Sequence, residues 1–324
     1  MPGKLTGPGP DAVRRVLVVT AVAAERDAVV TGLRATTPGQ GSEEPVDGPD
    51  LPGYGPGRLV RALDAAPTGR GPRGALTVDV LDAGVGPASA AAGTATALAT
   101  AALRRTPYQL VVSAGIGGGF EPAPLGAVVV ADAIVVADLG AETPDGFLPV
   151  TELGFGTVTH RPPTALAEAA AAATGAVYGA VLTVSTVTGS AERAAALRTR
   201  HPGAAAEAME GFGVAEASAA HGLPVLEVRA VSNPVGPRDR AAWRIGEALD
   251  ALRGAFRALP PVLAADPGAA AIDPAPAPVS VPVDPVDPGP AHRDAHPGAA
   301  DPLPGPRSHP HPHPHPDEET ETHG

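Results

Sequence analysis

Three polar side chains stand where the surrounding sequence is apolar, and their types suit acid–base and hydrogen-bonding chemistry. Glu210 lies in "AMEGFGVA", residues 208–215, in a run of small apolar residues that reads as protein interior. A buried carboxylate is costly unless it is paired, hydrogen-bonded or used. Glu25 follows the apolar run of "VRRVLVVTAVAAERDAV", which reads as a short strand leading into a helix. Carboxylates at the carboxyl ends of strands in an α/β sheet sit where ligands bind. A solvated first-turn acid favoured by the helix dipole is the plainer account of the same residue. Asn233 ends a further apolar run, "LPVLEVRAVSN", which Pro234 stops. Its amide both donates and accepts but is not an acid.

Two glycine-rich stretches and one polar loop accompany them. "DAGVGPASAAAG" sets Gly84 and Gly86 between a strand and a helix. Ser89 stands where a dinucleotide fingerprint needs its third glycine, and no acid ends the next strand. A tight turn that helps form a pocket is the better account. "SAGIGGGF" places Gly115, Gly117, Gly118 and Gly119 after a strand, as a turn whose backbone a ligand can approach closely. No P-loop lysine follows it. "VSNPVGPRDRAAW" gathers Arg238, Asp239, Arg240 and Trp243. Asp239 suits a helix N-cap, and the arginines and Trp form either a surface ion-pair cluster or a grip on an anionic ligand.

The elements that must position these residues alternate between strand and helix over residues 15–259, the pattern of an α/β fold. The expectation is a single domain with a central twisted mixed β-sheet flanked by helices. Residues 37–58 read as a Gly/Pro-rich surface loop inserted into it, and "DRAAWRIGEALDALRGAFRAL" as one long closing helix. Residues 1–14 read as a flexible N-terminus. Residues 260–324 read as a disordered Pro/Ala/His-rich tail, because proline at that density excludes helix and sheet. His309, His311, His313 and His315 alternate with proline there, as in a solvated low-complexity segment rather than a metal site.

Composition narrows the function classes. The 324 residues include no cysteine, which excludes disulfides and thiolate metal sites. Of the net charge of −12, the stretch from Pro260 onward carries −8, with ten acidic against two basic residues. Neither part has the basic stripe that nucleic acid requires. No secretory leader and no apolar run of about 18 residues is present, so the expectation is a cytoplasmic protein away from membranes.

The order of these sites resembles one superfamily: Glu after the first strand, a GxG turn, "GIGGG", "AMEG", then "RAVSN" on a late strand. The chain is similar to the nucleoside phosphorylases and nucleosidases over roughly residues 15–258. Within that superfamily it looks like the methylthioadenosine/S-adenosylhomocysteine nucleosidases and, closer still, the futalosine hydrolases of menaquinone biosynthesis. "SNPVGPRDRAAWRIGEAL" resembles the latter branch in particular.

The resemblance implies a nucleoside phosphorylase-like fold and a small nucleoside substrate. It implies no metal or other cofactor, and assembly as a homodimer or higher homo-oligomer. Cleaving an N-glycosidic bond forms an oxocarbenium-like ribosyl cation and a departing base. Water must be activated, the ribose held and the base hydrogen-bonded. By resemblance, Glu25 activates the water, Glu210 binds ribose hydroxyls and Met209 packs on the sugar. Gly84 and Gly117 line the pocket.

The adenine-specific relatives carry an aspartate where this chain has Asn233. An amide donates to N7 or a 6-oxo group but cannot protonate, which favours hypoxanthine over adenine. The implied reaction is futalosine plus water giving dehypoxanthine futalosine and hypoxanthine. Futalosine's aryl carboxylate makes Arg238, Arg240 and Trp243 candidate substrate contacts. The neutral first loop "TAVAAE" argues against the phosphate site of a 6-oxopurine nucleoside phosphorylase, which is one alternative. A non-catalytic nucleoside-binding protein is the other.

Overall fold

The computed structural model describes residues 14–35, 46–48, 50–65 and 76–265. Its first half-domain alternates as expected. Strand β1 (Arg14–Thr20) leads to helix α1 (Ala23–Arg34). Strands β2 (Val46–Asp47), β3 (Leu59–Ala65) and β4 (Leu76–Asp82) then precede α2 (Pro87–Leu103) and β5 (Leu110–Gly119). The second half comprises β6 (Val128–Val136), a hairpin of β7 (Gly140–Thr143) and β8 (Gly146–Pro149), β9 (Thr159–His160) and α3 (Thr164–Thr174). It continues with β10 (Val177–Thr183), α4 (Ala191–Arg200), β11 (Ala204–Ala208), α5 (Gly211–Ala220) and β12 (Val225–Pro234). A 3₁₀ turn (Arg240–Ala242), α6 (Ile245–Ala258) and α7 (Pro260–Ala264) end it.

The sheet is mixed. Its order is β11-β10-β6-β12-β5-β1-β4-β3-β2, and β11 also pairs antiparallel with β5, so the first five strands of that order close on one another. The parallel centre explains the uninterrupted apolar runs, since strands covered on both faces need no polar alternation. All seven residues of β4 are buried.

Helices α1, α3, α6 and α7 cover one face, where Val29, Leu33, Leu166, Leu252, Phe256 and Leu263 share a core with β1 and β4. In α6, Ala248, Leu252, Ala255 and Phe256 recur at helical spacing and are buried. Helix α2 lies on the other face with α5, burying Ala90, Ala97, Leu98, Phe212 and Val214.

Four sequence expectations change. "GIGGG" is not a turn: Gly115–Gly119 complete β5, paired along that length with β12 and, at Gly118 and Gly119, also with β11. The closing helix starts at Ile245, because Asp239 caps only the short 3₁₀ turn and Trp243 is extended. The inserted segment contributes β2 to the sheet edge, paired with β3; its residues 37–45 and Pro49 lie outside the described residues. The folded part continues past Pro260. Two prolines are tolerated in the first turn of α7, and its Leu263 is fully buried. Residues 1–13 and 266–324 lie outside the described residues, the histidines of the tail included.

Candidate active site

Glu25 is the third residue of α1, but it is not a solvated first-turn acid. It is 4% exposed and turned back onto the end of β1. Its Oε2 accepts from the backbone N–H of Ala21 (2.9 Å) and Val22 (3.4 Å), and its Oε1 from that of Ile116 (2.9 Å). Burial pushes its carboxyl above the ordinary carboxylate range. The Arg229 charge and the backbone donors pull it back, and neighbouring Glu210 pushes it up.

Glu210 precedes α5 and is also buried. Its Oε1 accepts from Gly86 N–H (3.2 Å). Its Oε2 accepts from Arg229 Nη1 (3.1 Å) and Met209 N–H (3.3 Å). The cost of a carboxylate in this apolar run is thus offset first by a buried cation.

Arg229 organises the cluster from the centre of β12, with no exposed surface. Besides Glu210 it donates from Nε to Glu227 Oε1 (2.9 Å) and from Nη2 to Ser113 Oγ (2.9 Å). A Cβ on Gly115 would lie 2.7 Å from both Arg229 Nη1 and Glu25 Oε1, so glycine is what lets the guanidinium and Glu25 close over β5. Three carboxylates, those of Glu25, Glu210 and Glu227, therefore surround one guanidinium. Burial also raises the Glu227 carboxyl, against the pull of Arg229. Such an acid-rich, dry cluster stabilises positive charge developing beside it.

Asn233 sits at the end of β12, half-buried. Its Oδ1 accepts from Ser232 Oγ (2.9 Å), and its Nδ2 donates to Pro234 O (3.0 Å). The amide nitrogen keeps a second N–H and the oxygen a second lone pair, so either end has a position to offer a ligand. The following loop is tied back by Arg244 N–H to Ser232 O (2.8 Å). Arg238 and Arg240 are exposed, their guanidinium carbons 5.6 and 5.9 Å from the Trp243 ring centroid. Among the described residues neither forms an ion pair, and Asp239 caps Ala241 N–H instead.

Glu25, Met209 and Glu210 are thus brought together with Arg229, while Asn233 lies at the far end of the strand that carries Arg229. Gly117 lies against the Glu207 backbone, and its carbonyl, 3.2 Å from Ser232 Oγ, competes with Asn233 Oδ1 for that hydroxyl's one proton. Gly84 reaches only the first loop, donating to Ala21 O (3.1 Å), and Gly86 is the glycine that touches Glu210. The sequence motifs did not single out Arg229, Glu227 or Ser113. The available signal was Glu-x-Arg inside an apolar strand, two charges on one face. Among the described residues no group of three or more His, Asp and Glu is arranged to hold a metal ion. No described helix is long and apolar enough to cross a membrane.

Comparison with known proteins places this geometry. A family model described as the phosphorylase superfamily matches residues 68–259. A futalosine hydrolase of Streptomyces coelicolor is 64% identical over 249 residues, 76% of this chain and 96% of that protein. One from Acidothermus cellulolyticus is 45% identical over 249 residues, 75% of this chain and 89% of that protein. A solved futalosine hydrolase of Helicobacter pylori superposes with a TM-score of 0.58 at 16% identity, covering 76% of this chain and 98% of that one; it shares the fold.

Proposed function

The chain belongs to the phosphorylase superfamily, and on that premise we propose that it is a futalosine hydrolase, cleaving futalosine with water to dehypoxanthine futalosine and hypoxanthine. One observation carries the choice of hydrolysis over phosphorolysis. The Glu25 carboxylate accepts from the N–H groups of Ala21, Val22 and Ile116, the donors with which a phosphate would have to be held. The nearby Arg26 is committed to Asp27, Asp82 and the Gly57 carbonyl. A carboxylate there repels phosphate and suits water.

The reaction follows from the cluster. The C1′–N9 bond breaks and its electron pair leaves with the base. Water oxygen bonds to C1′ and gives its proton to Glu25, whose raised carboxyl is better matched to that task than an ordinary one. Glu210, fixed by Arg229 and Gly86, accepts from the ribose hydroxyls and opposes the growing positive charge. Met209 packs on the sugar. Asn233 donates to the base, which takes its proton from solvent. Arg238, Arg240 and Trp243 receive the aryl carboxylate of the 5′ arm.

The identity to the Streptomyces and Acidothermus futalosine hydrolases, nearly end to end, supports the substrate. The same reading assigns the chain to menaquinone biosynthesis in the cytoplasm, as a homodimer or higher homo-oligomer. Phosphate titration tests the chemistry: hypoxanthine release from futalosine should proceed at one rate with and without phosphate. Release that requires phosphate would make the chain a phosphorylase.

A further inference from the structure

Glu210 holds the N-cap position of α5, yet its side chain does not cap the helix. A capping residue ordinarily has extended backbone angles, and its side-chain oxygen accepts from the N–H two or three residues on. Glu210 has φ −116° and ψ −32°, αR rather than extended, and its carboxylate turns back to Met209, Gly86 and Arg229. The helix-end N–H two residues on, that of Phe212, is left for another acceptor. Phe212 is buried, and a buried N–H without a partner is costly.

Thr183 supplies that acceptor. It is fully buried at the end of β10, and its Oγ1 accepts from Phe212 N–H at 2.9 Å. The mechanism gives this residue no task. The sheet fixes its place, with Val136 on β6 and Ala208 on β11 as its paired neighbours. Its carbonyl accepts from Ala137 N–H, and Val184 N–H donates to Ala208 O, both at 2.9 Å. The first turn of α5 is fixed as well. A Cβ on Gly211 would strike the Glu227 carboxylate, and one on Gly213 the Pro87 carbonyl at the start of α2.

We propose that Thr183 is a positioning residue that caps α5 from a neighbouring strand, so that the Glu210 carboxylate stays free for the ribose hydroxyls. This rests on the reading of Glu210 as the ribose ligand. The N-terminus of a helix attracts negative charge, and an N-cap carboxylate is a natural partner for the N–H of the second helical residue. With the Thr183 hydroxyl present, that N–H is taken and the carboxylate keeps Gly86 and Arg229. Without the hydroxyl, the carboxylate is drawn onto Phe212 N–H and away from the sugar. Thr183 therefore acts through Glu210, and its effect belongs to the stabilisation that the ribose hydroxyls supply.

The test compares kcat/KM of the wild-type chain and Thr183→Val on futalosine and on its 2′-deoxy and 3′-deoxy analogues. Valine keeps the shape of threonine and removes the hydroxyl. The variant should lose about 10- to 150-fold on futalosine, as for one hydrogen bond to a charged group. The loss should shrink on at least one deoxy analogue, where a hydroxyl that Glu210 serves is already missing. Independent effects multiply to within about twofold, so equal losses on all three substrates would make Thr183 merely structural and overturn the proposal. Undiminished cleavage of futalosine would overturn it too. If Thr183→Val does not fold, Thr183→Ser and Thr183→Ala make the same comparison, since both lack the methyl and only serine keeps the hydroxyl. Serine should then be the more active by a similar factor, and equal activity would overturn the proposal. A crystal structure of the hydroxyl-free variant without substrate separates this proposal from the substrate reading. The Glu210 carboxylate should lie about 3 Å from the Phe212 nitrogen and off Gly86; a carboxylate still in its wild-type place would overturn the proposal. No base release from futalosine by the wild-type chain would instead overturn the parent reading, and this one with it.

Discussion

Replacing Arg229 by methionine removes the one cation among three buried carboxylates while keeping the length of the apolar stem. Glu210 and Glu227 each lose a direct ion pair, at 3.1 and 2.9 Å, and Glu25 loses the charge that offsets its burial. Removing one partner of a buried pair costs about 3–5 kcal/mol, which for a domain of this size is a Tm loss of roughly 6–20 °C.

The loss must also depend on pH. A carboxyl whose folded pKa is raised contributes stability below its unfolded pKa and loses it as pH rises through the folded one. Burial raises the Glu25 and Glu227 carboxyls already, and Arg229 opposes that rise. Without the cation both are raised further. The variant is therefore most destabilised at pH 8 and approaches wild type as the pH falls toward 5. Thermal melts of both proteins across that range are the assay, with Glu227→Gln/Arg229→Met expected to recover part of the loss. A Tm difference that is absent at pH 8, or constant with pH, would refute the electrostatic account of the cluster.

Three further outcomes follow. The acidic limb of the kcat/KM profile should lie above the ordinary glutamate value of about 4.3, since Glu25 must be ionised to take a proton from water and burial raises its carboxyl; a limb at or below that value would remove Glu25 as the base. Arg238→Ala or Arg240→Ala should raise KM for futalosine about 10- to 150-fold more than for inosine if a guanidinium holds the aryl carboxylate; equal effects in steady-state kinetics would remove both arginines from substrate recognition. Leu263→Ala should destabilise the fold by about 2–5 kcal/mol in denaturant unfolding, because the side chain is fully buried in α7; a neutral result would return the domain boundary to Leu259.

What the sequence reveals and what it hides have separate physical causes. Glu25, Glu210 and Asn233 are legible because each is a polar residue breaking an apolar run at the end of an element, where burial demands a reason. Arg229 is harder to assign, since its partners Glu210 and Ser113 lie 19 and 116 positions away and no spacing rule connects them. Gly115–Gly119 looks like a turn by composition, yet pairing with β12 along its length, and with β11 at Gly118 and Gly119, holds it as strand against glycine's own preferences. That Glu207 and Asn233 both pair with Gly118 is likewise a property of the assembled sheet alone. The α/β alternation itself is plain, because parallel strands write themselves as continuous Val, Leu and Ala runs. The β7–β8 hairpin has no such run to mark it.

The most direct test of the account is the substrate order of the purified chain in buffer free of phosphate. Futalosine, inosine and methylthioadenosine are each incubated with it, and the released base is chromatographed. Hypoxanthine should appear from futalosine with the highest kcat/KM, from inosine more slowly, and adenine from methylthioadenosine most slowly. Faster release of adenine from methylthioadenosine than of hypoxanthine from futalosine would contradict the account at its centre.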